Sequence, residues 1–294
     1  MKILVLGATG MAGHTISIYL KDAGHDVTSF SRKKFEYCNN ITGDATDFCF
    51  LESIVANGDY DVVINAIGIL NEDADNNKPL AVLLNSYLPN YLSYITKDMR
   101  TKVIHMSTDC VFSGKIGGYS ETSFRDGETF YDRSKALGEI NNGKDLTFRN
   151  SIIGPDINEK GIGLFNWFMK QKGEINGFTK AMWTGVSTLT LAKAIEKAVE
   201  ENLTGLYNLV NNISISKFDL LDLFKKYMNE DIELIIPNDV LVIDKSLINN
   251  RTDFSFVVPD YENMIIEMRV WIDDHKELYP HYFHEKREGL KCVN

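Results

Sequence analysis

Residues 2–13, KILVLGATGMAG, place a short apolar run directly before three glycines at a spacing of three. A strand, a glycine-rich turn and a helix in this order can hold a phosphate, because the glycines let the backbone approach a pyrophosphate closely. The helix then directs its unpaired N–H groups and positive dipole end toward that phosphate. Taken alone, the motif also fits a simple turn that binds nothing. The candidate cofactor contacts in it are Gly7, Thr9, Gly10, Met11 and Gly13.

The first half of the chain alternates β-branched runs with longer helical stretches. Strands are predicted at KILVLG, DVTSF, NNITGD, DVVINAIG, KVIHMS and LTFRNS, and helices over about 11–23, 47–57 and 79–97 and from near Tyr131. This alternation is typical of a parallel sheet with helices on both faces. The predicted fold class is therefore α/β, a Rossmann-type doubly wound parallel sheet with a smaller C-terminal substrate-binding lobe.

The rhythm of strands and helices loosens after Pro155. Helices are predicted around LFNWFMKQ and over about 188–201, 216–229 and 261–277, with a strand at GLYNLV and a loop through NGFTKAMWTGVST. No Pro/Gly/Ser-rich linker separates the halves, so the second half should pack onto the first. We expect residues 1–154 to form the cofactor-binding domain, with about 178–212 returning to it, and 155–294 to be mainly the substrate lobe.

Composition restricts the function. The chain has 294 residues, 44% of them hydrophobic, and a formal net charge of −10, and its basic residues are scattered rather than clustered. A nucleic-acid partner is therefore not expected. No apolar segment approaches the roughly 18–20 residues of a membrane span, and we expect a cytoplasmic protein. The spacing of cysteines and histidines predicts no metal site. A homodimer is compatible with the sequence, which contains no feature that sets the oligomeric state.

The second predicted strand ends in SFSRKK, without the acidic residue that usually binds the ribose of NAD. Ser31 and Arg32 stand there instead, and an arginine can pair with a 2′-phosphate, so NADP(H) is favoured with NAD(H) as the alternative. Further along, Asp44 and Ala45 follow the third strand, where the adenine should lie. The cofactor ribose should pass the residues at the end of the fourth strand, Asn65, Ala66, Ile67 and Gly68.

The GxxGxxG spacing within this sheet pattern resembles the short-chain dehydrogenase/reductase superfamily, which uses a tyrosine with a lysine four residues later. Two such pairs occur, Tyr131 with Lys135 and Tyr282 with Lys286. Tyr131 opens the helix that leads to the sixth strand and follows the serine–threonine pair of HMSTDCVF at the carboxyl end of strand five, where open sheets bind ligands. Tyr282 lies beyond the last predicted strand and is expected at the surface. The first pair is therefore the predicted site.

Each residue of this site has a chemical task. A tyrosine is too weak an acid to protonate a carbonyl quickly, and an ammonium one helical turn away should lower the pKa of Tyr131. Lys135 should also reach the ribose hydroxyls of the cofactor. The Thr108 hydroxyl should hold the substrate carbonyl, whereas Ser107 should point to the opposite face. The hydride comes from the cofactor.

Several segments together show a closer resemblance. STDCVFSG, YSETSF, YDRSKALGE and FRNSIIGP resemble the dTDP-4-dehydrorhamnose reductase family. The resemblance implies NAD(P)H-dependent reduction of the 4-keto group of a nucleotide-linked 6-deoxyhexose, in the synthesis of cell-surface polysaccharide precursors. It assigns the proton donor to Tyr131, its partner to Lys135 and the carbonyl-binding hydroxyl to Thr108. It places the following residues against the sugar nucleotide: Asp109, Arg149, Trp183, Lys245 and Arg251.

Two segments depart from that family's pattern and leave the substrate open. The stretch after the fourth strand reads NAIGILNEDAD, and Cys110 stands where the family usually has tyrosine. A reductase of a UDP-2-acetamido-2,6-dideoxy-4-keto hexose is therefore an alternative. A nucleotide-sugar epimerase and a non-catalytic NADP-sensing protein are further alternatives. A dehydratase is disfavoured, because Cys110 occupies the place of the glutamate that elimination requires.

Overall fold

A seven-stranded sheet forms the centre of the protein, whose computed structural model describes residues 1–283. Its strands are β1 (Lys2–Leu6), β2 (Asp26–Ser31), β3 (Asn39–Thr42), β4 (Val62–Asn65), β5 (Lys102–Ser107), β6 (Leu146–Arg149) and β11 (Gly205–Asn208). They lie in the order β11-β6-β5-β4-β1-β2-β3 and every pairing is parallel. The direction of winding reverses between β1 and β4, which opens a crevice at their carboxyl ends. The predicted fold class is confirmed.

The central strands are buried on both faces, as their continuous apolar sequence requires. In β1, Ile3 and Val5 belong to one apolar core, whereas Leu4 and Leu6 belong to another. Successive side chains of a strand point to opposite faces, so these are the cores above and below the sheet. The sheet therefore needs helices on both sides.

Within residues 1–283, ten α-helices provide that cover and build the lobe. They are α1 (Met11–Asp22), α2 (Phe48–Gly58), α3 (Asn71–Asn76), α4 (Lys78–Ala81), α5 (Leu88–Ile95), α6 (Phe130–Leu137), α7 (Leu164–Phe168), α8 (Thr188–Glu200), α9 (Lys217–Tyr227) and α10 (Tyr261–Asp274). Helices α1 and α8 pack against each other and contribute to the core of Ile3 and Val5. Helices α2 and α5 contribute to the opposite core.

The helix predicted over 79–97 is interrupted. Helix α4 ends at Ala81, residues Val82–Tyr87 form a π-helical turn, and α5 follows from Leu88. Pro89 has no N–H to give to the carbonyl of Asn85 four residues earlier, so regular α-helical bonding fails at this point. The short helix α3, just before α4, was not predicted.

The prediction of a loop through NGFTKAMWTGVST is wrong, because this segment contributes to three short strands. These are β8 (Gly173–Phe178), β9 (Ala181–Trp183) and β10 (Gly185–Ser187). Their partners are distant in sequence: β13 (Ile232–Asn238) pairs with β8, β7 (Ser151–Ile153) pairs with β10, and β12 (Ile215–Ser216) and β14 (Ile243–Asp244) flank β9. The C-terminal lobe is thus built on small sheets, with α7, α9 and α10 packed around them.

Candidate active site

The glycine turn lies at the crevice between β1 and β4. Gly7 has φ +85°, a conformation that glycine adopts without strain, and a Cβ there would lie 3.2 Å from the Ala66 carbonyl carbon. A Cβ at Gly13 would lie 2.2 Å from the Gly7 carbonyl oxygen, so only glycine lets α1 approach the turn. Helix α1 begins after Gly10 with no side chain capping its N-terminus. This end of α1 can therefore offer its N–H groups to a phosphate.

The end of β4 borders the same crevice. Asn65 is fully buried, and its Oδ1 accepts the N–H of Ile67 at 3.1 Å. The backbone at Gly68 comes so close to α6 that a Cβ there would lie 3.9 Å from Lys135 Nζ. The predicted ribose-binding segment thus connects the glycine turn to the predicted lysine.

Asn85 is a site residue that the sequence did not reveal. It is fully buried in the π-helical turn, its Oδ1 accepts the N–H of Ile69 at 2.8 Å, and its Nδ2 donates to Ser134 Oγ at 3.0 Å. It therefore fixes the segment after β4 against α6. A lone asparagine within the apolar run VLLNSYL is the signal that could have shown it.

The end of β2 presents the residues predicted to select the cofactor. Ser31 is buried and donates to the Lys33 carbonyl, whereas Arg32 is exposed. Hydrogen bonds from Thr46 hold the pKa of Asp44 below its ordinary value, and the charge of Arg32 adds to this effect. Arg32 and Asp44 therefore lie near each other, with Ala45 buried beside them.

Thr108 and Tyr131 meet at the carboxyl end of β5. A capping box between Thr129 and Asp132 starts α6, so Tyr131 lies in the first turn of this helix. Tyr131 is buried, and the Thr108 hydroxyl beside it acts to lower its pKa. Burial and the nearby Cys110 outweigh that effect, so the pKa of Tyr131 is raised above 10. We expected the charge of Lys135 to lower the pKa of Tyr131, but Lys135 is not among the groups that shift it.

Lys135 lies one helical turn after Tyr131 and is 5% exposed. Its Nζ donates to the Met106 carbonyl at 2.6 Å and lies 3.4 Å from Nε2 of His105. Burial lowers the pKa of Lys135 to about 8, although Glu139 opposes this shift. His105 is also fully buried, and burial together with the charge of Lys135 keeps its pKa well below 6.5. His105 is therefore neutral.

Lys245 and Asp109 lie near these residues. Asp109 is buried and accepts the Thr108 hydroxyl at 3.0 Å. Burial and Asp109 raise the pKa of Cys110 to about 12, and the charge of Lys245 opposes this rise. Lys245, predicted to bind the substrate, thus lies close to Cys110.

Arg149 is not placed to bind a substrate. Its side chain is 1% exposed, its Nε and Nη2 donate to the two carboxylate oxygens of Glu139 at 2.7 Å, and its Nη1 donates to Asn208 at 3.3 Å. The cavity of about 610 Å³ that it borders is lined by none of the predicted cofactor or catalytic residues. Its donors are occupied within the protein, so its position contradicts the expected contact.

Trp183 and Arg251 also lie elsewhere than expected. The Trp183 ring is buried against Tyr261, with centroids 5.6 Å apart, in the core of the lobe. Arg251 donates to the carbonyls of Thr204 and Leu206, at the amino end of β11 and not at the carboxyl edge. Both side chains are used to join parts of the fold.

Tyr282, the tyrosine of the second tyrosine–lysine pair, is not at the surface. Tyr282 is buried, its hydroxyl donates to Asn166 Oδ1 at 2.8 Å, and it accepts the N–H of Asp156 at 2.9 Å. These bonds give Tyr282 a structural role. Lys286 lies outside the described residues.

Residues 1–283 contain neither a metal-binding cluster nor a membrane-spanning helix. Within this range no group of three or more His, Cys, Asp or Glu side chains is arranged to hold a metal ion. In the same range, no helix combines the length and the apolar character needed to cross a membrane.

The sheet order, the glycine turn at its switch point and the Tyr131–Lys135 pair on α6 are features of the short-chain dehydrogenase/reductase class, whose sheet is a dinucleotide-binding fold. Comparison with protein families makes this assignment specific. The chain belongs to the RmlD substrate binding domain family, whose model matches residues 1–240. The family resemblance inferred from the sequence is confirmed.

Individual relatives are more distant. The chain is 29% identical to the dTDP-4-dehydrorhamnose reductase of Mycobacterium tuberculosis over 144 residues, which are 47% of this chain and 44% of that protein. The alignment thus spans less than half the length of that relative. The chain is also 23% identical to methionine adenosyltransferase 2 subunit beta of Xenopus laevis over 237 residues, 74% of this chain and 70% of that protein.

A solved structure shows that the fold is shared over nearly the whole chain. It is the dTDP-4-dehydrorhamnose reductase of Bacillus anthracis in complex with NADP, with a TM-score of 0.78 and 20% identity. The superposition covers 92% of this chain and 100% of that one.

Proposed function

We propose that this chain is an NADPH-dependent reductase of the 4-keto group of a nucleotide-linked 6-deoxyhexose, in the synthesis of cell-surface polysaccharide precursors. One observation carries the proposal. Thr108, Tyr131 and Lys135 converge at the carboxyl edge of the sheet, next to the glycine turn and Gly68. The names of the M. tuberculosis and B. anthracis relatives support the substrate class.

The residues around the crevice fit a dinucleotide. The positive φ of Gly7, the close packing at Gly13 and the uncapped start of α1 suit a pyrophosphate. The exposed Arg32 suits a 2′-phosphate, because its guanidinium can pair with phosphate oxygens. When bound, the dihydronicotinamide supplies the hydride. The remaining chemistry belongs to the protein.

Tyr131 is the proton donor in this proposal. Its raised pKa keeps the phenol protonated at neutral pH, which a donor requires before the reaction. The Thr108 hydroxyl lies beside Tyr131 and donates to Asp109 in this structure. In the proposed reaction it turns to the substrate carbonyl and orients it toward the same proton. As the carbonyl carbon accepts the hydride, the phenolic O–H bond of Tyr131 breaks and the carbonyl oxygen takes the proton. Lys135 then returns a proton to Tyr131.

The nucleotide part of the substrate should lie against the C-terminal lobe. We infer that residues 155–294 form mainly this lobe, and that 1–154 with about 178–212 form the cofactor domain. The pairing of β11 with β6 and the packing of α8 on α1 support the return of that segment. Lys245, near Cys110, is the lobe residue suited to a substrate phosphate. We also propose a cytoplasmic location. We further propose a homodimer, and sedimentation of the purified protein tests this oligomeric state.

A binding role without turnover is the second candidate function. It is favoured by the likeness to a protein named as the beta subunit of an adenosyltransferase, which covers 74% of this chain. This candidate predicts NADPH binding with no keto-sugar reduction. Thr108, Tyr131 and Lys135 are all present, whereas a protein without turnover need not keep them, so the reductase is favoured over this candidate.

The deciding experiment is a panel of dTDP- and UDP-linked 4-keto sugars, each generated in place by its dehydratase. The panel includes the 3,5-epimerised and 2-acetamido forms, and NADPH absorbance is the readout. We expect turnover of a nucleotide-linked sugar and none of a free keto sugar, because the nucleotide supplies the binding energy that orients the carbonyl. Turnover of a UDP-linked 2-acetamido sugar alone would identify the alternative substrate.

The matched control is Tyr131→Phe, which should bind NADPH and fail to turn over. Silence of the native protein across the whole panel, with NADPH still bound, contradicts the reductase. Interconversion of sugars without net NADPH oxidation would indicate an epimerase.

A further inference from the structure

Two buried polar side chains, His105 and Asn65, lie in series behind the catalytic lysine. His105 Nε2 lies 3.4 Å from Lys135 Nζ, and His105 Nδ1 lies 3.2 Å from Asn65 Nδ2. Both His105 and Asn65 are fully buried. The mechanism above uses neither side chain as an acid or base, so their contact with Lys135 needs its own explanation.

The orientation of Asn65 decides which nitrogen of His105 carries the proton. Asn65 Oδ1 accepts the backbone N–H of Ile67 at 3.1 Å, and exchanging oxygen and nitrogen would place two donors against each other. Asn65 Nδ2 therefore donates to His105, and Nδ1 must be the acceptor. The neutral ring then has its proton on Nε2, the atom that faces Lys135.

This tautomer disfavours the ammonium form of Lys135. One hydrogen of Nζ is directed to the Met106 carbonyl, and an ammonium would direct another at the Nε2–H of His105. A neutral amine has a lone pair that can accept that N–H instead. The other titratable groups near Lys135 are Tyr131 on α6 and Glu139 beyond it, whose carboxylate already accepts Arg149 and Arg125.

We propose that His105, oriented by Asn65, is a positioning residue that stabilises the neutral amine of Lys135 and makes the lysine a better proton donor to Tyr131. In the step concerned, an Nζ–H bond of the Lys135 ammonium breaks and the phenolate of Tyr131 takes the proton. The amine left behind accepts a hydrogen bond from His105 Nε2–H and later regains a proton from water. This inference rests on the proposed reductase function for its catalytic meaning.

The first test needs no variant and no substrate. Nitrogen-15 NMR of the histidine rings in the native protein reports the tautomer of His105, which a His105→Gln sample assigns by the missing signals. We expect the proton on Nε2. A proton on Nδ1, or a charged ring at neutral pH, overturns the inference. If His105→Gln fails to fold, long-range contacts of the ring to β4 make the assignment.

The second test measures Lys135 directly. Carbon-13 labelling of the lysine ε position gives its titration, and we expect a midpoint well below the ordinary lysine value near 10.4. In His105→Gln the amide can turn its oxygen toward the ammonium, so the midpoint should rise by about one pH unit, a tenfold gain in proton affinity. His25→Gln is the matched control, because His25 contacts Glu196 far along the sequence from the site.

Asn65→Asp provides a second route to the same result. An aspartate accepts the Nδ1–H tautomer and leaves Nε2 free to accept from Lys135, so the midpoint should rise here also. An unchanged or lowered midpoint in a folded variant overturns the inference. Because these titrations use no sugar substrate, their outcome is independent of the proposed reaction.

With an active keto sugar from the panel, the pH profile supplies the last readout. The alkaline limb of kcat should move to higher pH by about one unit in His105→Gln, while the plateau rate falls because the lysine has become a weaker acid. A plateau loss with the limb unmoved is the result of a merely structural role and contradicts the proposal.

Discussion

Arg149 and Glu139 form a buried ion pair, and breaking this pair should lower the free energy of unfolding of the protein. Both side chains are 1% exposed, and two hydrogen bonds of 2.7 Å join the guanidinium to the carboxylate. The perturbation is Arg149→Met, which keeps much of the volume and removes the charge. It leaves the carboxylate of Glu139 buried without its main partner.

The size of the effect follows from what remains around Glu139. Breaking one side of a buried pair costs about 3–5 kcal/mol, because an uncompensated charge stays in a poorly hydrated place. Arg125, 44% exposed, still contacts Oε2 of Glu139 at 3.0 Å, and Ser107 still donates to Oε1 at 2.7 Å. These partners place the expected loss at the lower end, about 3 kcal/mol of the free energy of unfolding.

Urea unfolding followed by circular dichroism measures this loss. The control is the double variant Arg149→Met with Glu139→Gln, which removes both charges and should lose less stability than the single variant. NADPH affinity of the folded single variant should be unchanged. A loss below about 1 kcal/mol in the free energy of unfolding, together with weaker nucleotide-sugar binding, would refute the reasoning. It would indicate that Arg149 contacts the substrate.

Four further substitutions test other parts of the structure. Tyr131→Phe should lower turnover about 100-fold at unchanged NADPH affinity, measured by steady-state kinetics and fluorescence titration. Arg32→Ala should remove about 1–3 kcal/mol of NADPH preference, and equal dissociation constants for NADPH and NADH in the native protein would contradict this. Gly13→Ala places a methyl group 2.2 Å from the Gly7 carbonyl and should abolish NADPH binding in the same titration. Tyr282→Phe loses two buried bonds and should cost about 1–3 kcal/mol in urea unfolding.

The sheet could be predicted from the sequence because its signals are local. Most of its strands are short apolar runs, most of its helices have periodic apolar residues, and the glycine turn joins the first strand to the first helix. The lobe could not be predicted in the same way. Strands such as Ala181–Trp183 and Gly185–Ser187 have three residues and exist only because distant segments pair with them. Three residues are too few to show the alternation of apolar and polar side chains that predicts a strand.

The charged residues show the same limit at the site. A sequence displays Arg149 as a cation but not the partner that neutralises it, which is Glu139 at the end of the YDRSKALGE segment. Tyr131 could be chosen over Tyr282 from its place after β5, yet the burial of Tyr282 depends on Asn166 and Asp156. Ligand contacts inferred from residue type alone therefore leave out the partners that a charged side chain finds inside the protein.

The position of β11 has a consequence for how the chain reaches its fold. This strand, Gly205–Asn208, covers β6 at the edge of the large sheet, although more than fifty residues separate the two in sequence. During synthesis the edge of β6 stays unpaired until the ribosome has passed residue 208. An uncovered strand edge is a template for pairing with another chain. A fragment ending near residue 154 should therefore aggregate, whereas one that includes β11 can close its own sheet.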